Sequence, residues 1–288
     1  MIRQKNVLLV TNKCNCSCIM CPQNPSHDPA HLHELNLRLL ESARTEGMPV
    51  VILTGGEPTL VLDRLRHLLK VCKTKLPRTD VLLLTNGRAF KDIEIVRKIV
   101  SIQHSSLTFC VSLQADVDVI HDRIMGVKGA FAETVTGLHN LALQKQRVEI
   151  RVVIMRENYQ RLPMLAEYIY RNMPFACHVA LMGLELTGLA IDNISKVWID
   201  PTDYAPFLME AVRDLHRRDL RVSVYNLPLC LIPSQLWRFA RDSISDWKKT
   251  FLPKCSACAV RETCPGLFAT SAVQSANIRP IRSVTCSN

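Results

Sequence analysis

Val7-Leu-Leu-Val-Thr11-Asn-Lys-Cys14-Asn-Cys16-Ser-Cys18-Ile-Met-Cys21-Pro22 runs from a short apolar stretch straight into a cluster of thiols. Val7–Thr11 reads as a β-strand, and the pattern it starts recurs. Val50–Leu53, Asp80–Thr85, Leu107–Leu113, Val148–Met155 and His178–Met182 are further runs rich in Val, Ile and Leu. Amphipathic stretches lie between them, at Leu35–Glu46, Thr59–Lys73, Ile93–Ile102, Ala130–Gln144 and Tyr159–Arg171. Apolar strands alternating with helices are the βα units of a parallel sheet covered on both faces. Six units are too few to close an eightfold barrel. The expected fold is therefore α/β, a partial (β/α)6 TIM-type barrel whose gap admits a large substrate.

Asp203–Arg218 reads as one more helix and Val222–Tyr225 as a strand, after which the chain turns irregular and cysteine-bearing. This gives two expected domains: a core over 1–200 and a small cysteine-rich domain over 201–288. The 288 residues, 48% of them hydrophobic, suffice for a large core without disulfides. No apolar run approaches the roughly 20 residues that span a bilayer, and none suits a signal sequence. A cytoplasmic protein with no membrane partner is expected. The net charge of +10 comes from Lys and Arg spread along the chain, with no basic run. That argues against a nucleic-acid-binding tail.

Twelve cysteines in a reducing compartment point to metal or redox chemistry. Cys72, Cys110 and Cys177 are scattered and read as small buried hydrophobes. Cys14, Cys18 and Cys21 have the spacing C-x3-C-x2-C. Three thiolates in a short loop hold three irons of a four-iron cluster and leave the fourth iron open to a ligand. Cys16 lies inside the same loop and competes as a ligand; Cys14 is preferred on spacing. A structural zinc site is the alternative, although such sites usually present four ligands in two pairs. The second group, Cys255, Cys258 and Cys264, has the spacing C-x2-C-x5-C, with Cys230 or Cys286 as a fourth thiol. Here a closed four-cysteine zinc site competes more strongly. His27, His31 and His33 read as part of a solvated loop rather than a metal site.

The first cysteine group resembles the radical S-adenosylmethionine (SAM) superfamily. Thr54-Gly55-Gly56-Glu57-Pro58, at the end of the second strand, looks like that superfamily's Gly-Gly-Glu motif. The resemblance implies a SAM-binding [4Fe–4S] cluster on Cys14, Cys18 and Cys21, and contacts from Gly55, Gly56 and Glu57 to SAM. Later strand ends supply further SAM candidates. Asn86 either contacts SAM or forms an Asn-Gly turn. Ser112 or Gln114 is placed for the ribose or methionine part. Arg151 suits the SAM carboxylate or a surface salt bridge. Glu185 lines the substrate cavity or caps a loop.

The second group resembles the auxiliary-cluster domains of peptide-modifying radical SAM enzymes. Phe268 stands where the longer pattern has another cysteine, so a shorter, twitch-like (SPASM-related) domain with one auxiliary [4Fe–4S] cluster on Cys230, Cys255, Cys258 and Cys264 is implied. Leu-Thr-Asn-Gly-Arg (84–88), Val-Ala-Leu-Met-Gly-Leu-Glu-Leu-Thr-Gly (179–188), Val-Tyr-Asn-Leu-Pro-Leu-Cys (224–230) and Ser-Ile-Ser-Asp-Trp-Lys (243–248) resemble the HxsC-type maturases of the His-Xaa-Ser system. That likeness implies a peptide substrate with His-Xaa-Ser repeats, a second radical SAM protein as partner, and a reductant such as flavodoxin or ferredoxin. The chain starts almost at its first strand, so leader recognition is expected from a partner or the open barrel face. Competing readings are a radical SAM modifier of RNA or of a small molecule, and a non-catalytic zinc- or cluster-bearing scaffold.

Overall fold

The computed structural model describes residues 5–23, 26–43, 50–243 and 248–283. Cys286, residues 44–46 of the expected first helix and residues 244–247 of the Ser-Ile-Ser-Asp-Trp-Lys stretch lie outside them. Eight parallel strands form one sheet in sequential order: β1 (Lys5–Thr11), β2 (Val50–Gly55), β3 (Asp80–Thr85), β4 (Leu107–Ser112), β5 (Arg147–Val153), β6 (His178–Met182), β7 (Val222–Tyr225) and the short β8 (Ala240–Arg241). Sequential order with parallel pairing throughout is the topology of a βα barrel wall. β1 and β8 are its two edges, so the barrel is open.

The helices are α1 (Leu32–Ser42), α2 (Leu62–Lys75), α3 (Ile93–Val100), α4 (Asp118–Met125), α5 (Ala130–Leu143), α6 (Leu162–Asn172), the short α7 (Leu189–Asp192) and α8 (Ile194–Val197), and α9 (Pro201–Arg217). The core lies between them and the sheet. Val51, Leu53, Val81, Leu83, Val148, Ile150 and Val152 alternate along their strands. All are fully buried against helix residues such as Leu65, Leu69, Val96, Leu138 and Ile169. This alternation turns every second strand residue toward the concave side. The sheet is held mainly by this burial, since each such side chain contributes about 1.5–3 kcal/mol.

Six strands were expected in the barrel and a seventh, Val222–Tyr225, beyond it; all seven are in the one sheet, and β8 adds an eighth. The sheet continues across the boundary expected near residue 200, because the segment there is a strong helix. Asp200 caps α9 by accepting from Thr202 N at 3.0 Å, and Pro201 occupies the first turn. Tyr204, Leu208, Ala211, Val212 and Leu215 form its buried face. β7 then adds beside β6. After β8 the chain forms turns of 3-10 helix and a small antiparallel pair, β9 (Lys249–Thr250) with β10 (Leu267–Phe268). No helix of the described residues is long and apolar enough to cross a membrane.

Candidate metal centre

The thiol loop leaves the C-terminal end of β1, the end at which barrel sites form. Two neighbours clamp its backbone. On one side, Gly56 N–H donates to Thr11 O at 2.7 Å and Glu57 N–H to Lys13 O at 2.7 Å. On the other, Ser17 N–H donates to Met125 O at 3.1 Å and Ile19 N–H to Ile124 O at 3.0 Å, at the end of α4. A turn closed by Cys21 N–H on Cys18 O, 3.1 Å, sets the last two thiols.

Gly55 and Gly56 lie flush on the loop. A Cβ on Gly55 would lie 2.3 Å from Thr11 O, and one on Gly56 2.2 Å from Lys13 O. Both contacts are with backbone, which cannot swing aside. Gly126, with φ +68°, lets α4 end against Ser17. Gly188, with φ +57°, brings the segment after β6 against Pro22 and Gln23.

The Glu57 carboxylate is committed within the protein. It is fully buried. Oε1 accepts from Thr59 N (3.1 Å), Thr59 Oγ1 (2.7 Å) and Thr85 Oγ1 (2.8 Å), and Oε2 accepts from Asn86 N (2.7 Å). Burial pushes its carboxyl above the usual range, while these donors pull the other way by favouring the anion. The side chain is a latch joining β2 to β3 beneath the loop.

Asn86 stands between that latch and the thiols. Its Nδ2 donates to Asn15 Oδ1 at 2.8 Å and lies 3.4 Å from Cys16 Sγ. Arg88 Nη1 donates to Asn15 O at 2.6 Å and sits 3.5 Å from the same sulfur. Glu133 anchors the guanidinium through Nε at 2.6 Å. Arg88 and Glu133 were not among the expected site residues; the fold brings them to the loop, where Asn15 meets Asn86 and Arg88.

Cys14, Cys18 and Cys21 are half-buried, whereas Cys16 is buried. A hydrogen bond with Cys16, together with burial, pushes the Cys14 thiol far up, and burial pushes Cys21 up. Crowded, desolvated thiols resist ionising unless a cation compensates them. Soft thiol donors in a short loop fit an iron–sulfur cluster for that reason. Among the described residues, no three His, Cys, Asp or Glu side chains close on a single-ion site. His33 and His67 contact each other, 3.1 Å between ring nitrogens, while His31 is exposed at the start of α1.

The other SAM candidates divide. Ser112 ends β4 half-buried beside Arg151, its register partner on β5. Gln114 is buried, with Oε1 accepting from Val153 N at 2.9 Å and its backbone N–H on His121 Nδ1 at 3.1 Å; it ties β4 to β5. Arg151 makes an internal pair with Glu149 at 2.6 Å rather than a surface salt bridge. Glu185 is a strut: Lys248 Nζ (2.9 Å) and Thr270 Oγ1 (2.5 Å) donate to its carboxylate and tie the C-terminal segment to the loop after β6.

Cys230, Cys255, Cys258 and Cys264 line one small apolar cavity with Leu229, Phe251, Val260 and Ile278. Consecutive tight turns present the last three, through Cys258 N–H on Cys255 O (3.1 Å) and Cys264 N–H on Arg261 O (3.3 Å). Phe268, which breaks the longer cysteine pattern, pairs with Lys249 between β10 and β9.

Comparison with known proteins agrees with this geometry. The chain is 26% identical over 222 residues to the Fe-coproporphyrin III synthase of Methanosarcina barkeri, covering 75% of this chain and 53% of that protein. It is 27% identical over 154 residues to an AdoMet-dependent heme synthase of Oleidesulfovibrio alaskensis, covering 52% and 38%. The chain thus spans about half the length of the first of these and less of the second. In fold it is similar to Streptococcus suis SuiB bound to precursor peptide SuiA, with a TM-score of 0.62 and 18% identity over 76% of this chain and 48% of that one. It is also similar to anSMEcpe with bound AdoMet and Cp18Cys peptide, at 0.59 and 18% over 76% and 62%. The model of the Radical SAM superfamily matches residues 8–169, more than half of the chain and the stretch that holds the thiol loop, its clamps and the first five strands, so the chain belongs to the radical SAM superfamily.

Proposed function

We propose that this chain is a radical SAM enzyme acting on a peptide, with its SAM-binding [4Fe–4S] cluster on Cys14, Cys18 and Cys21. The observation that carries this reading is the thiol loop at the end of β1, fixed by Gly56, Glu57 and the end of α4. When bound, the cluster and SAM supply reductive cleavage to a 5′-deoxyadenosyl radical. The chain's own residues do the positioning. Gly55 and Gly56 let the strap lie flush on the loop, Glu57 locks the strap, and Asn86 with Arg88 engages the Cys16 sulfur, leaving Cys14, Cys18 and Cys21 as the proposed ligands. Arg151 and Ser112, adjacent on the inner face, are the side chains best placed to orient SAM's polar end.

The cavity lined by Cys230, Cys255, Cys258 and Cys264 is the proposed site of an auxiliary cluster. With four thiols committed, it would serve electron transfer or structure. That cavity, and the peptide named with the SuiB and anSMEcpe structures, support a peptide substrate. The His-Xaa-Ser type, a second radical SAM protein and a flavodoxin or ferredoxin reductant complete the proposal. A second reading, modification of an iron tetrapyrrole, rests on the sequence likeness to the synthases.

The test is anaerobic reconstitution followed by incubation with SAM and reductant. Release of 5′-deoxyadenosine is expected, and a mass change in a peptide of His-Xaa-Ser repeats. A mass change in Fe-coproporphyrin III, with the peptide untouched, would favour the second reading. No 5′-deoxyadenosine from protein with intact clusters would overturn both.

A further inference from the structure

The concave side of the barrel holds a polar group that SAM cleavage does not require. On β5, Val148, Ile150 and Val152 face the helices, so Glu149 and Arg151 face inward. Parallel register sets Glu149 beside His178 and Arg151 beside Ala180, and sets Ala180 beside Ser223 on β7. His178 Nδ1 lies 2.7 Å from Glu149 Oε2, and His178 Nε2 lies 3.0 Å from Ser223 Oγ. Arg151 Nε donates to Glu149 Oε1 at 2.6 Å. The Tyr225 ring meets the His178 ring edge-on, with centroids 6.2 Å apart.

Chemistry places the protons. Glu149 is buried, which opposes ionisation, yet His178 and Arg151 hold its carboxyl down at about 2. A carboxylate only accepts hydrogen bonds, so His178 Nδ1 must carry the proton it shares with Glu149. In the tautomer with Nδ1 protonated and Nε2 bare, Nε2 accepts the Ser223 hydroxyl hydrogen, and this is the form in which the ring acts as a base. This is a hydroxyl, a base and a group that orients the base, all within hydrogen-bond reach. The terminal nitrogens of Arg151 make no hydrogen bond to a described residue. Arg151 and Ser223 flank the small side chain of Ala180 in the strand register. A wall needing only to fill space would use apolar side chains, because a buried ion pair gains little over them.

We propose that Ser223, His178 and Glu149 form a second, non-radical catalytic unit, in which Ser223 Oγ attacks an acyl or phosphoryl centre whose anionic oxygen rests on Arg151. In that step the Oγ–carbon or Oγ–phosphorus bond forms, the bond to the leaving group breaks, and the Ser223 proton passes to His178 Nε2. The imidazolium then returns the proton to the leaving group. The unit needs neither the cluster nor the peptide reading, but it shares Arg151 with the proposed SAM site, so its acyl or phosphoryl substrate and SAM's polar end would compete for that guanidinium.

The probe is diisopropyl fluorophosphate on the full chain. Its reaction forms Oγ–P, breaks P–F, moves the Ser223 proton to His178 and releases fluoride. Peptide mapping by mass spectrometry should find one adduct, on Ser223. Ser223→Ala should remove it, and His178→Gln should slow it by about 100-fold or more, as loss of a general base does. Glu149→Gln should slow it less, and Glu149→Asp should restore part of the rate, which a merely structural carboxylate would not do. Iron content of each variant checks its fold. No adduct on Ser223 in the unmodified protein, or labelling that survives His178→Gln at full rate, overturns the proposal.

Discussion

Asn86 Nδ2 and Cys16 Sγ lie 3.4 Å apart, and Arg88 Nη1 approaches the same sulfur at 3.5 Å. Spacing alone left Cys16 in competition with Cys14. Two N–H donors on the β3 side, from Asn86 and Arg88, give the Cys16 sulfur partners of its own, which supports the proposal that Cys14, Cys18 and Cys21 are the ligands. Cys16→Ser should therefore keep the full iron content after reconstitution, about eight irons if both clusters form. Replacing Cys14, Cys18 and Cys21 together with Ala should leave about four. Iron and sulfide analysis checks both, and loss of about four irons from Cys16→Ser would reverse the assignment of Cys14 and Cys16.

The strap over the loop gives a second prediction. A methyl on Gly56 would meet Lys13 O at 2.2 Å, whereas one on Gly129 meets nothing within 4 Å. Gly56→Ala should cost about 3 kcal/mol or more, since two backbones must separate, and iron binding should fall with it. Gly129→Ala carries only the strain of φ +84°, about 1–2 kcal/mol. It should bind iron normally. Thermal melts and iron content of the two variants make the comparison.

How far the sequence was legible follows from what each residue's signal depends on. The strands were readable because β2 and β3 carry unbroken Val, Ile and Leu runs, as strands covered on both faces do. The cysteine loop was readable because metal ligands are close in sequence. Glu57 stands out through its motif, but the four donors to its carboxylate come from residues 59, 85 and 86, and no local pattern shows them. α4 was missed because its buried face, His121, Ile124 and Met125, is too short to show a period. Arg88, Glu133 and the His178–Ser223 contact join residues 45 positions apart in each pair. Contacts of that kind depend on strand order and register and leave no local pattern.

Acid stability gives a third prediction. Glu149 has its folded pKa held at about 2, below its ordinary 4.5. A depressed carboxyl contributes stability above its unfolded value and loses it as pH falls through the folded one. The difference is worth about 3 kcal/mol, absent below roughly pH 2. His121 acts in the same direction: burial lowers it from 6.5 to about 4, so its neutral form supports folding and that support declines from pH 6.5 down to 4. Denaturant titrations at pH 7, 5 and 3 should show stability falling at each step. In Glu149→Gln, lower in stability at pH 7, the decline below pH 5 should be shallower. An identical slope in both proteins would mean that Glu149 is not held down by its partners.

The four-thiol cavity carries the last prediction, which turns on Cys230. It is separated from Cys255 by more than 20 residues of chain, yet it lines the same cavity as Cys255, Cys258 and Cys264. Pro228 N-caps the turn that carries it, and Leu231, Leu267 and Ile278 pack beneath it. Burial pushes the Cys230 thiol up, so a free thiolate there is unfavourable without metal. Cys230→Ser should lower reconstituted iron toward about four per chain while 5′-deoxyadenosine release from SAM persists. Cys286→Ser should leave iron unchanged. If the cavity holds zinc instead, iron stays at about four in the unmodified protein and metal analysis shows one zinc that Cys230→Ser releases. The reverse pattern, iron lost with Cys286→Ser and kept with Cys230→Ser, would transfer the fourth ligand to Cys286.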